Sequence, residues 1–250
     1  MQVDAIILAG AKNDGKLQTV SSCPYEALIH INGKPMLCYV VEALRKSPYI
    51  DRIVVVGFPE FKQYLADDII LLECASSLVE NVQIGMNYLQ PKNHVLVVTS
   101  DIPMVTQEAV DDFIQRCEGK VADLFYPIVS KEANEELYPG VIRTYVTLKD
   151  GIYTGGNMVL MSAHFIGQCH PVVERVVQLR KKPFAIARLL GLKIIIKFVF
   201  RKLTIADVEQ RVKKHFGLCA QAVISPYPQI GTDVDKPSDW ELAQRVLAQN

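Results

Sequence analysis

Three stretches of the chain are apolar at nearly every position: AIILA at 5–9, RIVVVG at 52–57 and VLVV at 95–98. Side chains alternate faces along a strand, so runs like these fit strands covered on both sides, as in the middle of a parallel sheet. Residues 36–46, 77–89 and 107–117 instead repeat apolar side chains every three or four positions, the period of a helix with one buried face. This β-α-β-α alternation predicts an α/β fold of three layers, α/β/α, with a mostly parallel sheet between helices. Such sheets bind ligands beyond the carboxyl ends of their strands, so chemistry is expected in the residues that follow each strand.

After residue 120 the rhythm changes. Residues 122–129 and 143–148 read as strands, the second running into an Asp150-Gly151 turn, and TGGN at 154–157 leads into an apolar run at 158–161. Residues 171–217 carry a helical pattern, with Thr204 and Asp207 spaced as a capping box and Gly217 placed to stop a helix. A strand at 220–224 and a last helix at 238–247 follow. No repeat or low-complexity linker interrupts the chain. One domain over 1–250 is expected, with 171–217 as a helical insert within it.

Composition narrows the classes. The 250 residues are half apolar and balance 27 Lys+Arg against 27 Asp+Glu, which argues against bulk nucleic-acid binding. Six cysteines lie far apart without a C-x-x-C pair, as core thiols of a reducing compartment would. The first residues, Met1 to Asp4, lack a basic leader, and the longest apolar run, 189–200, is broken by Lys193 and Lys197 and is too short to span a bilayer. A cytoplasmic protein is expected.

The zero charge is not evenly spread. Residues 175–206 hold nine Lys/Arg and no Asp or Glu, which leaves 18 basic against 27 acidic side chains elsewhere. Lys193, Lys197 and Arg201 recur every four residues, so a continuous helix would align them as a stripe beside an apolar body. This segment reads either as a lid or dimerising pair whose lysine stems cover apolar surface, or as a contact for an anionic acceptor or an anionic membrane surface.

The first strand delivers GAKNDGKL at 10–17, which resembles a P-loop up to its last position. Leu17 lacks the hydroxyl that such a loop offers to Mg²⁺, and Pro24 follows too soon for a long phosphate-capping helix. A glycine loop that wraps phosphates with backbone N–H groups and lysines fits better.

Further motifs occur in a fixed order: IILAG at 6–10, P-x-x-A-L-I-x-I-N-G-K-P-M at 24–36, TSDIP at 99–103 and DVDKPSD at 233–239. Together they resemble the MobA-like and sugar-phosphate nucleotidylyltransferases. The resemblance implies a GT-A-like, Rossmann-like fold and transfer of a nucleoside monophosphate from an NTP to a small, phosphorylated acceptor, with release of pyrophosphate. It implies Mg²⁺ (or Mn²⁺) on Asp101 and Asp235, with Asp233 as the other choice. Catalysis would rest on Lys16, Asp101 and Asp235. Leu8, Ala9, Gly10, Ala11, Lys12, Gly15, Lys16, Ser77, Asn81, Ser100 and Asp101 would contact the nucleotide. Gly156 and Asn157 would meet the acceptor, the glycine by permitting close approach of its backbone.

Two alternatives accompany this reading. DVD at 233–235 is also the D-x-D of GT-A glycosyltransferases, although it falls late in the chain for that role. Relatives place a Lys immediately before Ala-Leu, where this chain has Glu26. A carboxylate beside a triphosphate is repulsive, so Glu26 also suits a nucleotide- or nucleotide-sugar-binding protein that does not catalyse, or an acceptor with a cationic group.

Overall fold

The computed structural model describes residues 1–165 and 183–249. Its strands are β1 (Val3–Leu8), β2 (His30–Ile31), β3 (Lys34–Pro35), β4 (Ile50–Gly57), β5 (Ile70–Glu73), β6 (His94–Thr99), β7 (Leu124–Ser130), β8 (Val146–Leu148), β9 (Gly151–Gly155), β10 (Met158–Ser162) and β11 (Ala220–Ser225). Its helices are α1 (Met36–Lys46), α2 (Leu78–Leu89), α3 (Gln107–Cys117), α4 (Lys131–Leu137), α5 (Pro183–Leu190), α6 (Leu192–Val199), α7 (Ile205–Phe216) and α8 (Pro237–Leu247).

The main sheet runs β5-β4-β1-β6-β10-β7-β9-β8, with β11 along the other edge of β7. Pairs β5-β4, β4-β1, β1-β6 and β7-β11 are parallel, whereas β10 is antiparallel to both β6 and β7. Every residue of β1 is buried, as its unbroken apolar run requires. The side chains of Ile7, Val55 and Val98 meet α1 and α3 on one face through Leu37, Leu44, Phe113 and Ile114. Ile6, Val54, Val56 and Val97 meet Val82, Met86 and Leu89 of α2 on the other. This is the expected α/β/α arrangement.

Several elements depart from the expectation. The half-exposed edge strand β5, the β2-β3 hairpin and the polar helix α4 carry too little periodic signal to stand out. The strand expected at 143–148 is regular only over β8, because 143–145 turns inward toward the site described below. Residues 154–157 are a kink between two segments that both run antiparallel to β7, β9 on its last residues and β10 on its first.

The basic helical segment also differs. Its part at 171–182 lies outside the described residues, so Arg175, Arg180, Lys181 and Lys182 are not placed. The rest forms α5, α6 and α7, which share a small core of Leu190, Ile194 and Leu203 with Leu148, Val208, Val212 and Phe216. Arg201 does not extend the stripe of Lys193 and Lys197: α6 ends at Val199 and Arg201 takes a left-handed turn with φ of 54°. Among the described residues, no helix is long and apolar enough to cross a membrane.

Candidate active site

The loop after β1 is built from its anchors. Leu17, the residue that spoils the P-loop pattern, is fully buried in a cluster with Ile29, Ile31, Met104, Val234 and Leu242. A short 3-10 turn, Lys16–Thr19, stands where a P-loop would start a long helix. Buried Asn13 holds the loop's return by donating its amide to the carbonyls of Ser21 (2.9 Å) and Cys23 (2.8 Å). Sequence reasoning missed Asn13, whose role depends on tertiary closure of the loop.

Leu8 and Ala9 are tied into the sheet: the Leu8 carbonyl accepts from Ser100 N at 3.1 Å and Ala9 N donates to Val56 at 2.8 Å. Gly10 and Ala11 follow at the open end, and Lys12 and Lys16 are exposed. Gly10 is needed for packing, since a Cβ there would stand 3.0 Å from Asn81 Nδ2 and 3.2 Å from Cys74 Cβ. Gly15 has open space around it. Glu26 lies against this loop, its backbone N–H donating to Ala11 at 3.2 Å.

Beyond the carboxyl end of β6, the structure brings together Asp101, Asp233 and Asp235, each offering a carboxylate oxygen within 4.8 Å of the others. The segment at 233–235 is irregular backbone, so both carboxylates converge on Asp101. A main-chain clasp fixes the two segments, with Val234 N donating to the Asp101 carbonyl at 2.9 Å. The Thr99 hydroxyl donates to Asp101 Oδ1, and Asp239 at the start of α8 accepts from Asp235 N at 3.2 Å.

Arg143 completes the cluster and carried no sequence signal, because its partner is 90 residues away. Its buried guanidinium donates to Asp233 Oδ1 and, at 2.8 Å, to the Asp233 carbonyl. One of the three acidic groups thereby gains the paired, hydrogen-bonded partner that a buried carboxylate requires. Tyr138 nearby has its phenol pushed up to about 12 by burial, an effect that Arg143 opposes.

Three further residues were expected to contact a nucleotide. Ser100 is buried beside it. Ser77 caps α2: its hydroxyl accepts from Glu80 N and the Glu80 carboxylate accepts from Ser77 N, both at 3.1 Å. Buried Asn81 braces the same turn, accepting from Ala75 N at 2.6 Å.

On the opposite side, Asn157 receives Thr99 N on its carbonyl at 3.0 Å and donates its own N–H to Ile230 at 2.9 Å. At Gly156 the missing side chain permits a close approach of the protein's own atoms. A Cβ on Gly156 would stand 2.7 Å from Ile230 and 2.8 Å from Pro127, and one on Gly155 would strike the Tyr126 hydroxyl.

Three hard carboxylates fit a small divalent cation, whose coordinated oxygens stand about 3–4 Å apart around octahedral Mg²⁺. The cluster and the glycine loop emerge from the carboxyl ends of adjacent strands β1 and β6, where a parallel sheet presents its ligands.

Comparison with known proteins agrees with this geometry. Residues 5–191 match the family model described as the MobA-like NTP transferase domain. A probable molybdenum cofactor guanylyltransferase of Thermococcus kodakarensis is 29% identical over 94 residues, 36% of this chain and 45% of that protein. The chain spans between 24% and 49% of the length of the curated relatives it matches. Among solved structures, a hypothetical transferase from Thermus thermophilus superposes with a TM-score of 0.83 at 36% identity, over 96% of this chain and 100% of that one. A CMP:2-keto-3-deoxy-manno-octonic acid synthetase complexed with CTP has a TM-score of 0.63 at 14% identity, over 100% of this chain and 99% of that one, and shows the fold alone.

Proposed function

The chain belongs to the MobA-like NTP transferase family, and from that premise we propose that it transfers a nucleoside monophosphate from an NTP to a small phosphorylated acceptor. The observation that carries this reading is the convergence of Asp101, Asp233 and Asp235 beside the glycine loop. In the reaction an acceptor oxygen bonds to the α-phosphorus while the bond to the leaving pyrophosphate breaks. Such transfers ask a protein mainly for positioning and charge neutralisation.

The residues divide that work. The Gly10 and Ala11 backbone would approach the phosphates, with Lys12 and Lys16 supplying positive charge from the exposed side of the loop. Asp101 and Asp235 would hold Mg²⁺ or Mn²⁺, and Asp233 is positioned by Arg143 to contribute the third carboxylate. When bound, such a cation offsets charge on the substrate phosphates. Thr99 bonds Asp101 through its hydroxyl and Asn157 through its backbone, so the metal-ligating and acceptor sides would be tied to one strand end. Ser77 and Asn81 would face the base or ribose, a role compatible with capping because the Ser77 hydroxyl proton is not used by the cap. Asn157 would meet the acceptor.

Glu26 favours a second reading, a protein that binds a nucleotide without turning it over, since its position beside Ala11 sets a negative charge near the phosphate loop. One series separates the readings. Thermal midpoints are measured with each NTP and with nucleotide sugars, with and without Mg²⁺, followed by pyrophosphate release with pooled phosphorylated acceptors. The transferase reading expects NTP stabilisation with Mg²⁺ and release of pyrophosphate, both lost in Asp101→Asn. Stabilisation without pyrophosphate from any acceptor supports the binding protein, and preference for nucleotide sugars supports glycosyl transfer. An Asp101→Asn variant with normal Mg²⁺ response removes the metal assignment.

A further inference from the structure

The second half of the basic segment presents an apolar stripe to solvent. On α6, Leu192 (70% exposed), Ile196 (49%) and Val199 (61%), with Phe200 (68%) just past its end, occupy positions i, i+4, i+7 and i+8. That spacing places them on one side of the helix. Ile194 packs inward on the Leu190–Leu203 cluster and Ile195 and Phe198 pack against it, so α6 is apolar on two faces. Phe184 on α5 adds a further exposed ring at 57%. A helix apolar on its outer face as well as its inner one has lost a favourable covering for that outer face.

The charges around the stripe define what covers it. Lys193 and Lys197 flank it along α6, and Arg201 and Lys202 stand exposed at its end. Lys197 is held by Asp207 of α7 at 2.5 Å. No acidic residue occurs from 175 to 206, so the charges that the segment itself brings to the stripe are all cationic, with Asp207 of the next helix offsetting Lys197. Beside these lysines the four apolar side chains keep exposures between 49% and 70%. A twofold contact between two such stripes would bring like charges together, which disfavours a second copy as the occupant.

We infer that this stripe is a docking surface for an anionic lipid bilayer. Leu192, Ile196, Val199 and Phe200 would enter the boundary between head groups and acyl chains, while Lys193, Arg201 and Lys202 meet the phosphates. The surface is separate from the carboxylate cluster, so the inference stands apart from the proposed transfer reaction.

The test is co-flotation of the full chain with vesicles of phosphatidylcholine alone and of phosphatidylcholine mixed with phosphatidylglycerol. The expected result is binding to the anionic vesicles at low ionic strength and its weakening by salt. An apolar double variant, Ile196→Glu with Phe200→Glu, should lose at least about tenfold in partitioning while keeping its circular dichroism and thermal midpoint, because both positions are exposed. A charge variant, Lys193→Glu with Lys202→Glu, should lose about tenfold on anionic vesicles. Absence of binding to anionic vesicles at low salt overturns the inference. So does binding that both variants retain, or a concentration-dependent oligomer, seen by light scattering, that the apolar variant dissolves while vesicles stay unbound.

Discussion

At the scale of single residues, the pair of Arg143 and Asp233 carries the most. Both side chains are buried and the guanidinium also holds the Asp233 backbone. Replacing Arg143 with Leu leaves a buried carboxylate without its main compensation, a loss of about 3 kcal/mol, or roughly 6–12 °C in thermal midpoint for a chain of this size. If the cluster holds a divalent cation, Mg²⁺ should recover part of that loss. A midpoint equally depressed with and without Mg²⁺ would show that Arg143 supports the fold alone. Neither Arg143 nor Asn13 announces itself in the sequence, since each acts through a partner that only tertiary folding supplies. Asp101 did announce itself, because a carboxylate after a buried strand sits where a parallel sheet places its ligands.

Burial sets a second residue-scale effect. The Cys117 thiol at the end of α3 and the Tyr138 phenol are each pushed up to about 12 by desolvation. Both groups stay protonated in the folded chain but ionise on unfolding from about pH 9 and pH 10, their ordinary values. Their contribution to stability is therefore complete below pH 9 and is lost as pH rises toward 12, by at most about 1.4 kcal/mol per pH unit for each group. Urea midpoints recorded from pH 8 to 11 should fall, and less steeply in Cys117→Ala and Tyr138→Phe. A profile with the same slope in both variants would assign the alkaline loss to other groups.

Among the elements, regular periodicity was the readable part. Helices α1 and α3 occupy 36–46 and 107–117, as their apolar spacing indicates, and α2 starts one residue after the capping Ser77. Short elements were not readable: β5 is four half-exposed residues at the sheet edge, and α4 is seven mostly polar ones. The antiparallel course of β10 also escapes local pattern, because strand direction follows from where the chain has been. Capping gives α2 its own prediction. Ser77→Ala should cost about 1 kcal/mol through loss of the Glu80 N–H acceptor. A Ser77→Asp variant keeps an acceptor for that N–H yet places charge beside any bound phosphate. Restored stability with weakened NTP affinity supports a nucleotide-facing Ser77, whereas recovery of both confines it to the cap.

Over the whole molecule, charge and topology divide the chain differently. The net charge of zero joins a segment at 175–206 with nine positive side chains to a remainder with nine more acids than bases. The described part of that segment packs on β11 and the β8-β9 turn through α7 and Leu148, away from the end of β6 where the carboxylates meet. Fold class and motif order were readable at this scale because they depend on many residues at once. The convergence of both late carboxylates was not, since it rests on one irregular stretch.

The clasp between Val234 and Asp101 sets an order in time. The carboxylates that meet are supplied 132 positions apart, from Asp101 to Asp233, and the clasp beside them joins the end of β6 to the segment leading into α8. A chain growing from a ribosome can pair β1, β4 and β6 long before residue 234 appears. Until then it holds one carboxylate of the three, and its glycine loop lacks the buried support of Val234 and Leu242 under Leu17. The carboxylate cluster is thus among the last parts of the protein to form, and a nascent or truncated chain would lack it even with most of its sheet in place.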